Sequence, residues 1–110
     1  MSVWPQSLAR LVSQCQLDQR VRRESKRIAR EIYPVLWENV RRKMASSSEK
    51  ELHAYAKVRA AQLSQEHIDS LMQAEPGLSG AFAASVLVKS TERGLKMIQS
   101  ALASARRSAA

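Results

Sequence analysis

Ile28, Ile32, Leu36, Val40 and Met44 recur every fourth residue, straight across Pro34. Recurrence at that interval holds apolar side chains on one side of an α-helix and is the strongest folding constraint in the chain. Just upstream, QRVRRESKRIARE read at about 100° per residue gathers Val21, Ser25, Ile28, Ala29 and Ile32 within about a third of the circumference. Arg20, Arg22, Arg23, Lys26, Arg27 and Arg30 fall opposite. Such a segment buries a Val/Ile stripe against other helices and presents a guanidinium and ammonium surface to a partner. Proline inside a helix removes one backbone hydrogen bond and clashes with the preceding turn, at a cost of about 3 kcal/mol, so a kink or short break is expected near Tyr33.

The rest of the chain is read around this segment. Leu8, Leu11, Val12 and Cys15 recur at helical spacing behind Trp4, which suits a hydrophobic staple, and Pro5, which suits a first helical turn. Asp18 offers a cap between this first helix and the basic one, although nothing strictly breaks Leu17 to Val21. Ser46, Ser47 and Ser48 read as a loop. Ser48 with Glu51 is a capping box, in which the Ser hydroxyl accepts from the third amide and the Glu carboxylate reaches back to the cap. Leu52, Tyr55, Ala56, Leu63 and Leu71, flanked by Val58, Ala61, Ile68 and Met72, make the next helix apolar over a wide arc. Pro76-Gly77 ends it as a turn. In the last helix Leu87, Thr91, Leu95, Ile98, Leu102 and Ala105 form a stripe, while Gly80, Ala81, Ala83 and Ala84 offer a small-residue surface. Gly94 in that helix costs roughly 1 kcal/mol relative to Ala unless a close contact needs it.

Three Gly and three Pro in 110 residues leave few turn signals, and this length forms one modest core but not two. The expected fold is therefore all-α, a single-domain helical bundle of about four helices over residues 5–17, 19–44, 49–74 and 79–107. More than about two-thirds helix is expected, against a globular average of roughly a third.

The net charge of +8 is segregated: residues 19–44 carry +6, residues 45–76 carry −2 and residues 77–110 carry +4. A localised basic face is the reading this supports, with Arg20, Arg22, Arg23, Lys26, Arg27, Arg30, Arg41, Arg42 and Lys43 as candidate contacts to nucleic acid or another anionic partner. Lys89, Arg93 and Lys96 form a secondary basic face. Tyr33 and Trp37, spaced three or four residues from Arg30 and Arg41, are candidate stacking residues, or core anchors with Arg stems lying over them.

Catalytic and metal chemistry find no footing. His53 and His67 stand fourteen residues apart, about 21 Å along one straight helix, too far to share an ion. No phosphate-loop, dinucleotide, nucleophile-elbow or paired-cysteine motif occurs. No enzyme activity, cofactor or metal is expected. Cys15 is the single cysteine, which excludes an intramolecular disulfide and fits a reducing compartment. MSVWPQSLARLV lacks the basic and apolar regions of a secretory signal, and Gly77 to Val88 is too short to span a bilayer. An intracellular, cytoplasmic location is expected.

Two functions explain these features. Binding nucleic acid through its backbone accounts for the basic segments. A protein-interaction module, as a homo-oligomer or a small helical subunit of a larger assembly, accounts for the long helices and small-residue patches. Binding at a membrane surface is disfavoured, because Val21, Ile28 and Ile32 make a thin stripe without interfacial aromatics. The discriminating observation is whether Arg23, Lys26, Arg27 and Arg30 form one exposed surface joined by Lys89, Arg93 and Lys96.

Overall fold

A computed structural model of the protein describes residues 6–109. Trp4 and Pro5 lie outside the described residues. The described chain is 90% helix without strands, in three helices, α1 (Gln6–Lys43), α2 (Glu49–Ala74) and α3 (Gly80–Ala109).

Three helices, not four, form the bundle, because the two expected N-terminal helices are one. Asp18 caps nothing; its carboxylate accepts a hydrogen bond from the Gln14 side chain at 3.1 Å, one turn earlier in the same helix. Gln, Leu and Arg around it all propagate a helix well. Nor does α1 break at Pro34, which lies inside the continuous helix. Pro34 and Arg30 both sit on the exposed side, so the hydrogen bond that Pro34 cannot make is lost away from the packed face. On the opposite side Ile28, Ile32, Leu36 and Val40 are fully buried or nearly so. Burying four such side chains contributes on the order of 1.5–3 kcal/mol each, which outweighs the loss of one turn's hydrogen bond.

The second helix begins on its capping box. Ser48 Oγ accepts from the Glu51 amide and the Glu51 carboxylate accepts from the Ser48 amide. From there α2 runs unbroken to Ala74. The turn at Pro76 and Gly77 leads to Ser79, whose hydroxyl accepts from the Phe82 amide at the start of α3.

The helices run up, down and up. Arg20 near the middle of α1 pairs with Glu75 at the end of α2 and lies over the ring of Phe82 near the start of α3. At the other end Lys43 lies over the Tyr55 ring and Arg106 pairs with Glu49. α1 and α3 are therefore parallel, with α2 antiparallel to both. Phe82, Val86 and Ile98 of α3 join Ala56, Ala60 and Ile68 of α2 and the α1 stripe in one core. Gly94 is a point of close approach: a Cβ there would stand 3.2 Å from Ile32 Cδ1, so that Ile32 would have to give by a few tenths of an ångström, and at an ordinary 3.8 Å from Leu36 Cδ2.

The molecule measures 68 × 28 × 19 Å, far longer than a compact bundle of its size. The excess is the first part of α1, where every residue from 6 to 19 is exposed. These fourteen residues, about 21 Å of helix, project as an arm. Leu8, Leu11, Val12 and Leu17 along it are 45%, 62%, 43% and 40% exposed.

Candidate anion-binding furrow between the first and third helices

The packing sorts the cations of α1 into two groups. On the flank facing α2, Arg27 donates to Glu24 at 2.7 Å and to Glu31 at 3.1 Å. Its guanidinium is held protonated more firmly than usual, chiefly by the hydrogen bond to Glu24. Arg20 is likewise engaged by Glu75, which raises its pKa. Near the end of the helix Arg41 and Arg42 both donate to Glu38, at 2.8 and 3.2 Å. Their hydrogen bonds, led by that from Arg41, hold the Glu38 carboxyl below its ordinary value. Lys43 is spent on the Tyr55 ring, 4.4 Å from its centroid.

On the flank facing α3 the cations stay unneutralised. Arg23, Lys26 and Arg30 of α1 converge with Arg93 and Lys96 of α3 on a depression of about 420 Å³, whose apolar lining is Ala29 and Met97. Arg22 and Gln19 line an adjoining depression that shares Arg23 and Lys26 with the first. At the opposite end a third depression shares Lys96 and Met97 and is lined by Tyr33, Ser100, Ala101 and Ser104. The first and third follow the seam of the parallel helices and the second continues from the first along α1, so that the three make one furrow. No acidic side chain lines it among the described residues. None of its six cations is in a salt bridge with a described residue.

The furrow thus gathers Arg22, Arg23, Lys26 and Arg30 with Arg93 and Lys96. It does not gather Arg20, Arg27, Arg41, Arg42 or Lys43. Lys89 is exposed one turn before Arg93 on α3 and lines none of the three depressions. Tyr33 and Trp37 are both half-buried against the core; of the two, only Tyr33 reaches the furrow. Capture of Arg27 is legible from Glu24 and Glu31, three residues before it and four after, and capture of Arg41 and Arg42 from Glu38. Ala29 and Met97 as furrow lining carry no such signal, because they depend on how α1 and α3 are offset.

The histidines occupy separate places. His67 Nε2 lies 3.3 Å from a Glu31 oxygen and its Nδ1 3.0 Å from the Leu63 carbonyl, whereas His53 meets Gln99 at 3.3 Å. Among the described residues no group of three or more metal-ligating side chains comes together, and no helix is long and apolar enough to cross a membrane. Neither a protein family, a curated protein nor a solved structure matches this chain.

Proposed function

We propose that this is a non-enzymatic basic helical binding protein that holds the sugar–phosphate backbone of nucleic acid in the α1–α3 furrow. The observation that supports this reading is the convergence of five cations from two helices on one depression that no carboxylate lines. Elsewhere the same chain pairs its cations with Glu24, Glu31, Glu38, Glu49 and Glu75. Like charges brought together cost free energy that a polyanion relieves, and each cation that meets a phosphate releases a condensed counterion.

The test compares two triple variants that remove the same charge from different places. Replacing Arg23, Arg30 and Arg93 with Gln weakens binding to every sequence alike and flattens the log–log salt dependence by about two to three units on duplex DNA. Replacing Arg41, Arg42 and Arg106 with Gln leaves the slope within about one unit. Equal slopes for the two variants would sink the furrow as the binding surface.

A second reading, a protein-interaction module, rests on the arm. Its Leu8, Leu11, Val12 and Cys15 stripe is exposed with no helix packed on it, and residues 6–19 carry only Arg10 and Asp18 as charges. A near-neutral apolar stripe is attracted to neither an acidic nor a basic surface; it complements another copy of itself in a two-fold pair. Antiparallel pairing also keeps the two basic segments apart. Sedimentation equilibrium on wild type and Leu11→Glu reads this directly: a wild-type monomer at high micromolar concentration removes the reading.

A further inference from the structure

We infer that the furrow takes a single strand rather than a duplex, with one unstacked base laid on Tyr33; this rests on the backbone-binding reading above. Three features of the furrow carry it.

The first is its width. The furrow lies between two packed helices, whose axes stand about 8–10 Å apart. That admits one strand between the rims. A duplex would rest on the rims and reach the flanking Arg and Lys side chains without entering.

The second is its lining. Phosphates alone need only cations, yet the furrow also offers the half-buried side chains of Met97 and then Tyr33. A duplex keeps its bases stacked inside and presents nothing apolar to such a surface. A single strand presents sugar and base faces together with its phosphates, and every base has a π-face to stack. Tyr33 is half-buried, packed against the core while it lines the furrow. A ring so held is already ordered, so stacking costs little side-chain entropy.

The third is spacing along the axis. From Arg22 to Arg30 the helix rises about 12 Å. An unstacked single strand runs further per nucleotide than the roughly 3.4 Å of each duplex strand, so this length spans about two to three phosphates. Tyr33 follows about 4.5 Å beyond Arg30, near one nucleotide step, where a base turned inward from the end of the phosphate run would arrive. Ser100 and Ser104 on α3 stand opposite with hydroxyls that can donate to the last phosphate.

The experiment measures fluorescence anisotropy at fixed ionic strength with three labelled probes: oligothymidylate of about 12 nucleotides, an abasic strand of the same length and a duplex of the same length. Oligothymidylate is expected to bind most tightly, with a salt slope of about −0.7 per phosphate contact, and the abasic strand roughly tenfold more weakly. Tyr33→Leu lowers affinity for oligothymidylate by roughly tenfold and leaves the abasic strand and the slope unchanged, whereas Tyr33→Trp retains tight binding. Circular dichroism of each variant keeps loss of fold apart from loss of stacking. A duplex bound as tightly as the single strand overturns the inference, as does a Tyr33→Leu effect of equal size on the abasic probe. In either case, if binding is still lost in the Arg23, Arg30, Arg93 triple variant, the backbone reading survives alone. If none of the three probes binds, both fall.

Discussion

Residues 6–19 and residues 20–43 belong to one uninterrupted helix, yet they are helical for different reasons. The second half is held by burial: Val21, Ile28, Ile32, Leu36 and Val40 are all at most 4% exposed. The first half has no buried residue among those described, and an isolated helix of fourteen residues is marginal in water because its first turn fixes several residues for one hydrogen bond. The bundle supplies that nucleus. Each residue added toward the N-terminus then needs only propagation, which is close to neutral for Gln, Leu, Ser and Ala. Helix continuity therefore says little about packing. At about 100° per residue, the arm positions that continue the bundle face are Ser7, Arg10, Gln14 and Asp18, all polar. The apolar stripe of Leu8, Leu11, Val12 and Cys15 is turned by about a quarter of the circumference. It lines up with the flank that carries Arg22, Lys26 and Arg30.

Native-state hydrogen exchange separates the two halves of α1 most widely. Amides of residues 28–40 are expected to exchange only through global unfolding, with an opening free energy of about 5–15 kcal/mol, while those of residues 9–16 open at close to zero. Uniform protection along α1 would mean that the arm is covered in solution.

Side-chain truncation gives the next largest contrast. Leu36→Ala, at a fully buried site, should cost about 2–5 kcal/mol in urea unfolding. Leu11→Ala, 62% exposed, should stay within about 0.5 kcal/mol in dilute solution. Comparable losses would assign the arm to the core.

Pro34→Ala sharpens the account of how α1 tolerates proline. Restoring the hydrogen bond to the Arg30 carbonyl at an exposed site should raise stability by up to about 3 kcal/mol, with no change in salt-dependent binding. A destabilised variant would mean that the packing has adapted to proline.

The smallest effect concerns pH. Glu38 has its pKa lowered, chiefly by the Arg41 hydrogen bond. A carboxyl lowered in the folded state stabilises fully above its unfolded value, and that contribution is lost as pH falls through the folded value. The difference in midpoint between wild type and Glu38→Gln should therefore be small at pH 7 and vanish well below the ordinary value of 4.5. A difference that grows on acidification reverses the sign and rejects the pairing.

Much of this fold is legible in the sequence where the cause is local. The box at Ser48 and Glu51 starts α2, and the spacing of Ile28, Ile32, Leu36 and Val40 marks the face of α1 that is buried. A helix start at Asp18 and a break at Pro34 are misread for one reason: propensity and capping are worth at most about 3 kcal/mol, and the buried stripe on either side of Pro34 is worth more. The basic face is legible as composition, and the removal of Arg27, Arg41 and Arg42 as helical spacing to Glu. The furrow is not. It exists because Ile32 and Leu36 pack at Gly94, which sets Arg93 and Lys96 beside Lys26 and Arg30, and no single stretch of sequence encodes that offset.

The parallel course of α1 and α3 has an electrostatic result that reaches beyond contact distance. Two helix C-termini and the N-terminus of α2 share one end of the bundle, so two negative dipole ends meet one positive end there. Arg41, Arg42 and Lys43 close α1, Arg106 and Arg107 close α3, and Glu49 and Glu51 open α2. The cations at that end answer fields that the backbone itself creates. Arg22, Arg23, Lys26, Arg30, Arg93 and Lys96 sit at mid-helix, where successive peptide dipoles cancel and nothing internal opposes them. Their potential extends into solvent over about 10 Å at 0.1 M salt. On the proposed backbone-binding reading a polyanion is drawn toward this cluster, and its association rate falls as ionic strength rises.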